Sequence, residues 1–119
     1  MRVAFTTATG VKVDESFRST RDFSIWDVSP EGAFYVTTVR VPAGVRGEEE
    51  QIAVRADALY GCSLLCTYAL NGPAKAKLVA RKVQSLRLRK QTSVEDVLGR
   101  LQRVVRGNPP PWIRRAMFQ

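Results

Sequence analysis

Three strand-length segments follow one another before any helical pattern begins, and few folds accept that order. Arg2–Thr7 is the first, Phe23, Ile25 and Val28 mark the second, and Ala33–Val41 is the third. The third is rich in Val, Thr, Phe and Tyr, which pack well on a pleated surface. Ser29-Pro30-Glu31-Gly32 joins the last two as a tight turn, with Pro setting φ and Gly permitting a positive φ. The segments predict an antiparallel meander. Ala8–Arg21, polar and containing Gly10, reads as the loop between its first two strands.

Helices and strands alternate afterwards. Glu48-Glu49-Glu50 opens a helix at its positive end, and Ile52, Ala56, Leu59 and Tyr60 fall near one face of it. Gly61 is a natural stop. Ser63–Ala69 is a fourth strand, and Asn71-Gly72-Pro73 begins a second helix with Pro in its first turn. Ser85–Arg89 alternates Leu with Arg, as a charge-blunted edge strand does. Thr92 and Glu95 have capping-box spacing before an apolar stripe of Val94, Val97, Leu98, Leu101, Val104 and Val105. The predicted order is β-β-β-α-β-α-β-α. Right-handed crossovers then set the fourth strand beside and parallel to the first. The expected fold is α/β, a mixed five-stranded sheet in order 3-2-1-4-5 with flanking helices, similar to ribonuclease H folds. One domain spans residues 1–108, followed by a Pro/Trp/Arg tail at 109–119 in which Trp112 is expected to pack back on the domain.

The side-chain inventory excludes several chemistries. There is no histidine, so neither a Ser–His nor a Cys–His catalytic pair can form, and two cysteines cannot make a four-ligand zinc site. Metal-dependent nucleases on similar sheets need acids on the central strands, and Arg2–Thr7 and Ser63–Ala69 contain none. No apolar run approaches the roughly 20 residues that cross a bilayer, and the start is unlike a signal peptide, so a cytoplasmic protein with no membrane partner is expected. Charge is uneven. Residues 1–71 carry 7 Lys/Arg against 9 Asp/Glu, whereas residues 72–119 carry 12 against 2. Such asymmetry points to an anionic partner or ligand, or to a solvated basic face. A nucleic-acid binder would interleave aromatics with these cations, yet from Gly72 onward only Trp112 and Phe118 are aromatic. Nucleic acid is therefore not the expected partner, although a basic nucleic-acid-binding domain is one rival reading.

The first and fourth strands should end at one edge, a topological switch point where open α/β sheets bind ligands. Three segments meet there: Thr6–Gly10, the loop through Arg21, and Ala69–Lys75. The candidate ligand-binding residues are Ser16, Arg18, Arg21, Asn71, Gly72 and Lys75. Gly72 permits close backbone approach, and helix-start N–H groups receive anions. The competing reading is an ordinary strand-to-helix turn. If both cysteines lie on the fourth strand they stand about 13 Å apart, at roughly 3.3 Å per residue. They would then neither chelate one iron nor form a disulfide. Cys66, nearer the carboxyl end, is the metal-ligand candidate, and Cys62 the core thiol.

Several segments together resemble the dinitrogenase iron–molybdenum cofactor biosynthesis family. They are Met1-Arg2-Val3-Ala4-Phe5-Thr6-Thr7, Val13-Asp14-Glu15-Ser16-Phe17-Arg18-Ser19, Phe23-Ser24-Ile25-Trp26-Asp27-Val28, and Gly61-Cys62 with Asn71-Gly72-Pro73-Ala74. Gly107-Asn108-Pro109-Pro110-Pro111-Trp112-Ile113-Arg114-Arg115-Ala116 resembles the end of NifX-type members. The resemblance implies a non-enzymatic, ribonuclease-H-like carrier of the iron–molybdenum cofactor or its iron–sulfur precursor. It also implies cofactor assembly proteins, both scaffold and cofactor-synthesis proteins, as partners. A docking module that holds no cluster is the other rival. Family members often have His-Phe-Gly in the first loop, where this chain has Ser16-Phe17-Arg18.

Overall fold

The computed structural model describes residues 1–117, and Phe118 and Gln119 lie outside the described residues. The strands are β1 (Arg2–Thr6), β2 (Lys12–Val13), β3 (Asp22–Ser29), β4 (Gly32–Arg40), β5 (Leu64–Thr67), β6 (Gln84–Arg87) and β7 (Thr92–Ser93). The helices are α1 (Glu48–Ala58), α2 (Gly72–Ala80), α3 (Val94–Arg106) and α4 (Pro111–Met117). Five strands form one sheet in the order β4-β3-β1-β5-β6. β1 is antiparallel to β3 and parallel to β5, β3 and β4 are antiparallel, and β5 and β6 are parallel. The sheet is thus mixed, with β1 in its middle.

Period-two alternation divides the interior into two layers. Ala4, Phe23, Ile25 and Leu65 face α1 and α2, where Ile52, Ala56, Ala74 and Leu78 meet them. Val3, Phe5, Val28, Leu64 and Cys66 face the other way, onto Val94, Val97, Leu98 and Leu101 of α3. α4 joins this second layer. Its Ile113 is 3% exposed, and Trp112 and Met117 pack against the same cluster. Trp112 folds back as expected, but the more deeply buried anchor is Ile113, and residues 109–117 share a core with what precedes them.

Three local expectations are corrected. Residues 8–21 are not all loop, because β2 pairs with β7 through Lys12 with Ser93 and Val13 with Thr92. Thr92 is not the cap of α3. Its backbone is held in that ladder and its hydroxyl donates to the Arg89 carbonyl, while Ser93 caps the helix by accepting from the Asp96 N–H at 3.3 Å. Tyr60 does not lie on the buried face of α1. It is 96% exposed, since the helix ends at Ala58 and the chain turns away through Gly61 at φ 87°.

Candidate functional site

β1 and β5 run parallel and end at one edge of the sheet, where their last threonines meet. The Thr6 and Thr67 hydroxyls are 2.9 Å apart, and both residues are fully buried. Thr6 Oγ1 donates to the Glu15 carbonyl at 2.6 Å and Thr67 Oγ1 donates to the Ala69 carbonyl at 3.3 Å. These bonds satisfy the buried hydroxyls and fasten two loops to the strand ends. The Phe17 N–H donates to the Ala69 carbonyl at 3.2 Å, joining the first loop directly to the β5–α2 turn. The Phe17 ring is 1% exposed and lies 6.0 Å from the Phe23 ring, centroid to centroid. From the other side, the Arg55 guanidinium on α1 donates to the Thr20 carbonyl at 3.0 and 3.2 Å.

On this platform sits a shallow depression of about 250 Å³, lined by Ser16, Phe17, Arg18, Ile52, Asn71 and Ala74 among others. Arg18 reaches Glu48 of α1 at 3.5 Å, and the Asn71 amide donates to the same carboxylate at 3.5 Å. Both charged partners are more than half exposed, so water can replace this pair readily. The Ser16 hydroxyl is engaged inside its own loop, accepting from the Ser19 N–H at 3.1 Å and lying 2.7 Å from the Ser19 hydroxyl. Asn71 caps α2 by accepting from the Ala74 N–H at 2.9 Å, and its carbonyl receives the Lys75 N–H. Pro73 has no N–H, so Gly72 supplies the donor left for an incoming anion at this helix start.

Ser16, Arg18 and Asn71 are therefore brought together, with Gly72 and Lys75 exposed on the adjoining turn. Two candidates are placed elsewhere. Arg21 lines a separate depression of about 510 Å³ beside Arg40, Gly44, Gln51 and Arg55. Cys66 points to the opposite face of the sheet, into the layer under α3, with no exposed surface. Burial pushes its thiol far above the usual range, and its place in the α3 layer keeps the sulfur away from this edge. The sulfur expectation fails because residues alternate along β5. Leu65 faces the side of the depression, and its neighbour Cys66 cannot. Cys62 is a core thiol, as expected, raised to about 11 chiefly by burial, with Arg2 partly offsetting this.

Glu48 was absent from the sequence-derived set although it links Arg18 to Asn71. Its position at a helix start explains it equally well through the dipole, which hides a second role. Among the described residues no group of three or more His, Cys, Asp or Glu is arranged to hold a metal ion. The edge offers hydrogen-bond donors and the Arg18 guanidinium, and within the same loop the Ser19 hydroxyl donates to the Glu15 carboxylate at 3.2 Å.

Residues 1–104 match the family model described as dinitrogenase iron-molybdenum cofactor. Protein NifX of Sinorhizobium fredii is 31% identical over 126 residues, spanning 100% of this chain and 79% of that protein. Protein NifX of Herbaspirillum seropedicae is 29% identical, spanning 98% of this chain and 82% of that protein. Protein NifY of Azotobacter vinelandii is 34% identical over 98% of this chain, which corresponds to only 48% of that longer protein. The fold is similar to that in the crystal structure of PH0822, with a TM-score of 0.60 and 17% identity, covering 86% of this chain and 88% of that chain.

Proposed function

Because the chain belongs to the dinitrogenase iron–molybdenum cofactor family, we propose that it works in nitrogenase cofactor assembly and holds the iron–molybdenum cofactor, or an iron–sulfur precursor, as cargo. It acts without catalysing a reaction, in the cytoplasm, alongside cofactor assembly proteins. We take its fold as ribonuclease-H-like. One observation carries the cargo reading. The Ser16–Thr20 loop is pinned to the β5–α2 turn, so Arg18, Asn71 and the Gly72 N–H form one pre-set rim at the switch point. A metal–sulfur cluster is large and anionic, and such a rim meets it with donors rather than with thiolate. The Arg18–Glu48 pair would open on loading, because the guanidinium gains a stronger anionic partner.

The second reading, a docking module that holds no cluster, is favoured by the position of Cys66 on the far face. Anaerobic titration with isolated cofactor separates the two. Co-elution of iron and molybdenum with the protein on gel filtration is expected, and Arg18→Ala should weaken binding by roughly tenfold at low salt and less at high salt. If no metal co-elutes, the cargo reading falls and the docking reading stands.

A further inference from the structure

β4 ends the sheet, and among the described residues no strand lies beside its outer edge. Edge strands are usually short, charged or interrupted, because an open row of N–H and C=O groups templates pairing. The opposite edge, β6, follows that pattern, with four residues that include Arg87. β4 does not. It has nine residues, and Gly32-Ala33-Phe34-Tyr35-Val36-Thr37-Thr38-Val39 contains neither a charge nor a proline. Phe34, Tyr35 and Val36 are 62%, 54% and 39% exposed. Opposite charges flank this stretch, Glu31 before it and Arg40 at its end.

We propose that β4 pairs antiparallel with β4 of a second copy of this chain, in the register that sets Glu31 opposite the partner's Arg40. Gly32 then lies opposite the partner's Val39, Ala33 opposite the partner's Thr38, and Phe34 opposite the partner's Thr37. The dyad falls between Tyr35 and Val36. A second copy is the occupant because the strand is complementary to itself. Its apolar centre meets the same centre, and each end meets the opposite charge. Exposed ion pairs add little energy but select register, while aromatic and β-branched cross-strand pairs supply attraction.

The backbone makes this register compatible with two-fold symmetry. A dyad through a continuous sheet requires opposed residues to project from the same face. In an unbroken strand, residues 32 and 39 project from opposite faces, as do 33 and 38, and the register would fail. β4 has a bulge. Ile25 pairs with Thr37 while its neighbour Trp26 pairs with Tyr35, so Val36 is the additional residue. Faces exchange across it. Ala33 and Tyr35 lie on the α3 side, opposite Val28 and Trp26, and so does Thr38, opposite Ser24. The Tyr35 and Thr38 hydroxyls are 2.6 Å apart, which fixes these two on one face. Thr37 and Val39, opposite Ile25 and Phe23, lie on the α1/α2 side. Phe34 and Gly32 share that side, since a Cβ on Gly32 would come within 2.9 Å of the Phe34 ring. Each flanking pair in the proposed register therefore matches in face.

The test is sedimentation equilibrium of the full chain from about 1 µM to about 1 mM, a range that reads dissociation constants of that order. A reversible dimer is expected. Val36→Lys sets two cations against the dyad and should raise the dissociation constant at least about tenfold, with far-UV circular dichroism unchanged. A second variant, Phe34→Cys with Thr37→Cys, reads the register. Within one chain those positions are about 10 Å apart along the strand, too far for a disulfide, whereas across the dyad they are neighbours. Oxidation should give a covalent dimer on a non-reducing gel. A monomer at every concentration, a dimer indifferent to Val36→Lys, or a 34/37 pair that fails to cross-link would each overturn the proposal.

Discussion

Cys66 is enclosed between β5 and α3, and its environment dictates what substitution there does. Cys66→Ser buries a hydroxyl in an apolar layer and should lower stability by about 1–3 kcal/mol, measured by urea unfolding. Cofactor affinity of the folded variant should not change. Both cysteines also set an alkaline limit. Their thiols are raised in the folded chain, so the native state holds protons that the unfolded chain releases. That stability is complete below the ordinary thiol value and is lost as pH climbs through the folded value. Thermal midpoints should therefore fall between about pH 9 and about pH 11, the interval set by Cys62, and the Cys62→Ala variant should fall less steeply. Five of the seven candidate residues lie at the edge or on its adjoining turn, as the sequence places them. Ser16, Arg18 and Asn71 follow from the ends of β1 and β5, whereas Cys66 and Arg21 were misplaced. Strand phase decides which face a thiol occupies, and a loop of uncertain path decides where an arginine ends. Neither is encoded in residue type.

Helix α3 shows why elements were easier to find than their ends. Its stripe repeats over thirteen residues, which no strand imitates, and Val94, Val97, Leu98, Leu101 and Val105 are buried as the period requires, whereas Val104, expected in the same stripe, is 39% exposed. Its start was off by one position. Thr92 and Ser93 are both good caps, and only the pairing of Thr92 with Val13, distant in sequence, removes the first from competition. Ser93→Ala should accordingly cost about 1 kcal/mol of stability, read from the urea midpoint, because the Asp96 N–H loses its acceptor. Thr92→Ala removes no helix cap and should cost less. The β2–β7 pair escaped notice for a related reason. Two residues per strand carry no periodicity, and such a ladder exists only because tertiary structure brings its halves together. The placement of β5 beside β1 needed only strand order and crossover handedness.

Over its middle strands the sheet is covered on both faces, one by α1 and α2 and the other by α3 and α4. A chain ending at Asn108 would uncover the layer that holds Ile113. The isolated change Ile113→Ala should cost about 2–4 kcal/mol, and the truncation at least as much, with a lower urea midpoint in each case. An unchanged midpoint would show that α4 contributes nothing to the core. The central position of β1 has a further consequence, one of timing. β1 leaves the ribosome with Val3, Ala4 and Phe5 ready to pair, and β3 and β4 can join it as soon as they emerge. The strand that covers its other side, β5, is not made until residues 64–67. At about 5–20 residues per second, the nascent chain carries a half-finished sheet with an open apolar edge for a few seconds. For that interval its fate depends on what the cell places beside it, and slow codons or scarce chaperones would matter more here than anywhere later in the chain.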